Sequence, residues 1–203
     1  MAAFDPVFGD PALLPQIHKV QTKGNVFRGI IKYIQANFDE ETVNKLVATL
    51  PPEARRVFQT LPLASSWLPF SLQMDIVKAL VQGPFRGDVG RVRGVSAQVA
   101  RDDLSTVYKV LLKMLSAPSF FLNRIGTVFD MYFKGASMSG ETVEPGHAVI
   151  TLTGPMPYYY CTQAMPGWVD AALEIYRAKN REVKHTQCVH KGGKSCKWDV
   201  FWE

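Results

Sequence analysis

Apolar residues recur at helical spacing from Lys23 onward. Val26, Ile30 and Ile34 fall four apart, with Phe27 and Ile31 beside them, which predicts an amphipathic helix. Asp39 is placed to cap a second helix carrying Val43, Leu46, Val47 and Leu50. Pro51-Pro52-Glu53 suits the start of a third, since proline is tolerated in a first turn, and that helix ends near Leu61-Pro62. Trp67-Leu68-Pro69 reads as a loop. Ser71 then caps a helix with Leu72, Ile76 and Leu80 on one face, closed by Gly83-Pro84. Residues 88–116 read as one long or broken helix, in which Gly90 and Gly94 would permit close contact with a neighbour. Ala117-Pro118-Ser119 breaks the run, and a helix over 120–133 follows, carrying Leu122, Ile125, Phe129 and Phe133.

The pattern changes after Lys134. Residues 135–146 are polar and glycine-rich, so they read as a loop or a frayed hairpin. His147 to Thr153 is strand-like, and Met165 to Lys179 is an amphipathic helix with Trp168, Ala172 and Ile175 on one face. Residues 181–190 and 196–203 read as two strands joined by a turn over Lys191-Gly192-Gly193-Lys194. In the last, Cys196, Trp198, Val200 and Trp202 share a face opposite Lys197, Asp199 and Glu203. Residues 1–20 hold Pro6, Pro11 and Pro15 without periodicity, an extended arm ahead of a single domain over 21–203. The layout predicts an α+β fold, an N-terminal helical bundle packed on a small antiparallel sheet.

Composition adds little. Hydrophobic residues make up 47% and charged residues 20%, ordinary values for a globular chain. The formal net charge is +5 with the basic residues scattered, so we expect a solvated surface and no nucleic-acid partner. No apolar run is long enough to cross a membrane, and the start Met1-Ala2-Ala3-Phe4-Asp5 lacks a secretory pattern, so a cytoplasmic protein is expected.

Cysteine is more informative. There are three, Cys161, Cys188 and Cys196, an odd number that argues against a disulfide framework. With His185 they form a Cys₃His set, one of the usual structural zinc donor sets, and the Gly-Gly turn between Cys188 and Cys196 could fold the chain back. The other reading is three buried thiols and an exposed histidine. In an ideal strand His185 and Cys188 point to opposite faces, so joint ligation demands a bulge or strand end near Thr186-Gln187.

The segment Cys161-x6-Trp168 through His185-x2-Cys188-x3-Gly192-x3-Cys196-x-Trp198-x-Val200-x-Trp202 resembles the 4-vinyl reductase domain, similar in fold to subunits of the TRAPP vesicle-tethering complex. Over residues 20–203, including Leu61-Pro62-Leu63-x3-Trp67-x-Pro69, the chain resembles a myxobacterial paralogue family of unassigned function. Related sensor domains of aromatic-catabolism activators hold a structural zinc through three cysteines and an acidic residue. The resemblance implies zinc on Cys161, Cys188, Cys196 and, where those sensors have Glu, His185. It also implies an apolar cavity between helices and sheet for a small apolar or aromatic ligand, lined here by Phe129, Tyr132, Tyr159, Trp168 and Trp198. Val183 stands where an aromatic hydroxyl would serve a phenol, so a phenol-type ligand is not supported. Domains of both groups commonly dimerise through helices, and Val89–Leu115 offers such a surface.

Catalytic and nucleotide motifs are missing. There is no GxGxxG or Walker A pattern, and His147 and His190 have no evident partner at a recognised spacing. We therefore expect a non-catalytic, zinc-stabilised sensor that signals through a downstream protein. The rivals are a ligand-free scaffold like the TRAPP subunits and an enzyme acting on a small aromatic or tetrapyrrole substrate.

Overall fold

The structure is a computed structural model that describes residues 3–106 and 117–203; the part of the expected helix over 107–116 lies outside the described residues. The fold is mixed α+β. The N-terminal segment is not extended: a 3₁₀ turn at Pro11–Leu13, capped by Asp10, leads into α1 (Leu14–Ile17). Val7, Ile17 and Val20 are buried there, because the segment has a core to cover. Then follow β1 (Gln21–Lys23), α2 (Gly24–Asn37), α3 (Glu40–Thr49) and α4 (Pro52–Thr60). Asp39 caps α3 by accepting from the Thr42 amide at 2.8 Å, and Glu40 and Glu41 sit in its positive first turn. The apolar face of α2 is in the core, with Phe27, Ile31 and Ile34 fully buried.

Trp67–Pro69 is a short strand, β2, rather than a loop. It pairs with β1, whose other edge pairs with β3 (Phe133–Lys134), so these short segments share a three-stranded sheet in the order β2-β1-β3. α5 (Phe70–Gln82) begins at Phe70, with Ser71 inside the helix rather than capping it. A 3₁₀ turn at Val89–Arg91, capped by Asp88, opens α6 (Val92–Thr106). The helix expected over 120–133 is two pieces, α7 (Pro118–Leu122) and α8 (Ile125–Asp130), parted at Asn123-Arg124.

The glycine-rich stretch after Lys134 forms β4 (Ser137–Glu144). With β5 (His147–Thr153), β6 (Glu182–Gln187) and β7 (Cys196–Phe201) it makes an antiparallel sheet in the order β4-β5-β7-β6. Its glycines serve packing: a Cβ on Gly140 would lie 2.1 Å from the Leu122 carbonyl oxygen. Register places Ala148 opposite Val200, Ile150 opposite Trp198 and Leu152 opposite Cys196, all fully buried on one face. A π-helical turn (Tyr160–Ala164) runs into α9 (Met165–Ile175), which packs on α6.

Close helix contacts do not use Gly90 or Gly94, and a Cβ on Gly94 would meet nothing. They use Gly167, where a Cβ would lie 2.3 Å from the Arg93 carbonyl oxygen, and Gly29, where it would lie 2.9 Å from Val99 Cγ1. Val92, Val95 and Val99 are consequently buried within the chain. Among the described residues no helix is long and apolar enough to cross a membrane.

Candidate functional site

A partly open cavity of about 80 Å³ lies between α2, α5, α6, α8, the π turn and α9. Its walls are mostly apolar, including Val26, Ile30, Val77, Val95, Val99 and Met165. Four of the five residues expected to line a pocket, Phe129, Tyr132, Tyr159 and Trp168, lie on it. Trp198 does not. Opposite Ile150 on β5 and His185 on β6, it stacks on His185 (ring centroids 5.2 Å apart) and donates its indole N–H to the Cys161 carbonyl at 2.9 Å.

Gln73 and Asp103, also on the cavity, escaped the sequence reading. Gln73 occupies a core position of α5 between Leu72 and Met74, all three buried; a lone polar residue at such a position was the available signal. Its Oε1 and the Tyr159 hydroxyl are both buried and lack a hydrogen bond of ordinary length. Burial pushes the Tyr159 phenol far above the usual range, and the nearby Gln73 amide offsets that slightly, so Tyr159 is neutral. Asp103 accepts from the Asn25 side-chain amide at 3.2 Å. Burial, helped by the neighbouring Asp102 charge, pushes its carboxyl up to about 6, against smaller opposing effects of a hydrogen bond from Tyr132 and of Lys32.

Three of the four residues named as metal ligands, His185, Cys188 and Cys196, meet, and Cys161 lies beside Cys196. Cys196 Sγ lies 3.2 Å from Cys161 Sγ and 3.9 Å from Cys188 Sγ, and the ligating atoms of His185, Cys188 and Cys196 all lie within 4.8 Å of one another. The parity problem between His185 and Cys188 is solved by a register shift between His185 and Gln187 on β6. A 3₁₀ turn at Val189–Lys191 and the left-handed Gly192 (φ +84°) then return the chain to Cys196. All three cysteines are free and buried. Hydrogen bonds from the Cys161 and then the Cys196 thiol hold Cys188 far below the usual thiol range. Burial pushes Cys161 well above it. Cys161 draws Cys196 down, but its bond with Cys188 and burial outweigh this and leave it at about 11.

His147 and His190 have partners after all. His147 Nε2 is 2.8 Å from Asp199 Oδ1 across β5 and β7, and the ring stacks on Phe201. His190 is buried, accepts the Asp10 amide on Nδ1 at 3.0 Å and bonds the Met156 carbonyl through Nε2 at 2.7 Å. It thereby pins the N-terminal segment, whose Phe8 and Val7 carbonyls accept from the Tyr158 and Tyr159 amides. These long-range pairings leave no spacing signature in the sequence.

No family model and no curated protein matches the sequence. The fold does have solved counterparts, among them H-NOX domains. An H-NOX protein from S. oneidensis in the Fe(II)NO ligation state is 14% identical, with a TM-score of 0.71 over 89% of this chain and 99% of that chain. The Fe(II) unliganded H-NOX protein from K. algicida is 15% identical, with a TM-score of 0.66 over 89% and 96%. The IWP-051-bound H-NOX from Shewanella woodyi in the Fe(II)CO state is 12% identical, with a TM-score of 0.67 over 88% and 93%. At these identities the likeness establishes the fold.

Two expectations are corrected. The resemblance to the 4-vinyl reductase domain and the TRAPP subunits is overturned, because the whole arrangement of helices and sheets matches H-NOX domains. Its motif came from the C-terminal segment alone. Structural zinc as cofactor is overturned with it: the metal named for these structures is Fe(II), with NO or CO ligation.

The residues of this chain do not fit haem. Haem iron is held by His, Cys, Met or Tyr. The four histidines are His18, His147, His185 and His190, so residues 19–146 hold no histidine, and no cysteine either. No histidine lines the cavity, and the three thiols are engaged with one another. The phenols of Tyr159 and Tyr160 are held neutral by burial, which disfavours a phenolate ligand, the Tyr132 hydroxyl is bonded to Asp103, and methionine, present as Met138 and Met165, serves as an axial ligand beside a histidine that the cavity lacks. Among the described residues the charged side chain on the cavity is the carboxylate of Asp103, with no cation to receive propionates. The volume of about 80 Å³ is also far below the roughly 300–1,000 Å³ of pockets for larger ligands.

Proposed function

We propose that this chain is a non-catalytic sensor on the H-NOX fold that admits a compact, neutral ligand to its central cavity without haem. The observation that carries this reading is the mostly apolar cavity between α2, α5, α6, α8 and α9. Filling it would favour one packing of the helices around it, and only differential affinity for two packings can shift them. Output then passes to a downstream protein partner. A cytoplasmic location and a homodimer belong to the same proposal. Cys161, His185, Cys188 and Cys196 enter it as a candidate ligand set for a soft metal ion, joining the π turn to the β6–β7 hairpin, with the ion's identity to be read by elemental analysis.

Native mass spectrometry of the full chain, with hemin added in a parallel sample, tests the reading. A small bound molecule and only weak, non-stoichiometric hemin uptake are expected. Stoichiometric haem with a sharp Soret band would overturn the haem-free sensor. A chain that admits no small molecule at all would favour a scaffold.

A further inference from the structure

Two buried polar atoms on the cavity wall, Gln73 Oε1 and the Tyr159 hydroxyl, on residues 4% and 1% exposed, lack a hydrogen bond of ordinary length, and the Gln73 amide acts on the Tyr159 oxygen only weakly. Leaving such groups unmet is costly, and native interiors seldom do so without a ligand or an ordered water. They come from different elements, α5 and the segment before the π turn, and they stand close enough for Gln73 to act on the phenol. One is an acceptor only; the other is a hydroxyl that needs an acceptor. A single ligand hydroxyl serves both, donating to Gln73 Oε1 and accepting from Tyr159. Around them the wall is aliphatic and thioether, with Val77, Val95, Met138 and Met165.

From this geometry we infer that the cavity is a binding site for a short-chain aliphatic alcohol, with its hydroxyl bridging Gln73 and Tyr159 and its carbon chain against the valines and methionines. Size sets the limit. A dry cavity of about 150 Å³ takes up benzene, so the 80 Å³ here suits about three or four heavy atoms. Polarity sets the class. A hydrocarbon would leave both polar atoms unmet, an anion would face the Asp103 carboxylate, and a cation would be drawn to Asp103 rather than to Gln73 and Tyr159. A water molecule alone would satisfy the two atoms but leave the aliphatic wall unfilled. The inference rests on the small-ligand reading above and narrows it to a chemical class.

The test uses the full chain labelled with ¹³C at its methionine methyl groups, since Met138 and Met165 line the cavity. The probes are 1-propanol and xenon. Both are expected to shift the Met138 and Met165 signals saturably. In Tyr159→Phe and Gln73→Leu the 1-propanol affinity is expected to fall about tenfold, the effect of one buried hydrogen bond. Xenon binding should not weaken in either, which also shows that the variants fold with the cavity intact. Xenon binding without saturable 1-propanol binding, or 1-propanol affinity indifferent to both variants, would overturn the alcohol site while leaving an apolar sensor cavity. If neither probe moves Met138 or Met165, the small-ligand reading itself falls.

Discussion

Asp103→Asn tests the electrostatics of the cavity wall most directly. The carboxyl is pushed from 3.8 to about 6, burial being the larger cause and the Asp102 charge the second. A carboxyl raised in the folded state takes up a proton on folding between these values. Its contribution is therefore most favourable below about pH 4, is lost as pH rises toward 6, and stays lost above that. About two units at roughly 1.4 kcal/mol each gives a penalty near 3 kcal/mol at pH 8 relative to pH 4. Asparagine carries no charge, so that penalty disappears. It can still accept from Asn25, while the Tyr132 bond to a carboxylate weakens. Allowing about 1 kcal/mol for the latter, the variant should gain about 1–2 kcal/mol at pH 8 and about nothing at pH 4.5. Urea unfolding followed by tryptophan fluorescence at the two pH values, on both proteins, reads the double difference. Asp75, whose carboxyl is also raised by burial, titrates in both and cancels. Parallel stability–pH curves, or a variant less stable at pH 8, would show that the folded protein does not penalise the Asp103 charge, and the reasoning would fail.

Two further outcomes are expected. Gly9 sits at φ +91°, and a Cβ there would lie 2.3 Å from His190 Nδ1, so Gly9→Ala should undock residues 3–10. Hydrogen exchange should quicken at the Tyr158 and Tyr159 amides, and unchanged protection would refute the pinning role of His190. Trp198→Phe removes the indole bond to the Cys161 carbonyl and part of a fully buried ring, and should cost about 2–4 kcal/mol in urea unfolding, against less than about 1 kcal/mol if the site can simply repack.

Local chemistry was readable along the chain. The spacing of Phe27, Ile30, Ile31 and Ile34, the Asp39 cap and the alternation from Cys196 to Val200 each state a preference that neighbouring residues satisfy, so helices, caps and the last strand follow from sequence. The meeting of Cys161, His185, Cys188 and Cys196 was readable in part, because a Gly-Gly turn and a demanded bulge bring the last three together locally. Tertiary structure decided the rest. Three-residue segments such as Trp67–Pro69 become strands only because β1 supplies partners from a distant part of the chain. The glycines that matter, Gly29 and Gly167, are set by which helix crosses them. Which fold these elements make was not legible from the C-terminal motif, since a motif constrains one hairpin and the fold is set by packing across the whole core. The same holds for the cavity. Gln73, Asp103 and Tyr159 stand far apart in sequence, and only the closure of helices from both halves of the chain turns three unrelated side chains into the wall of one small chamber.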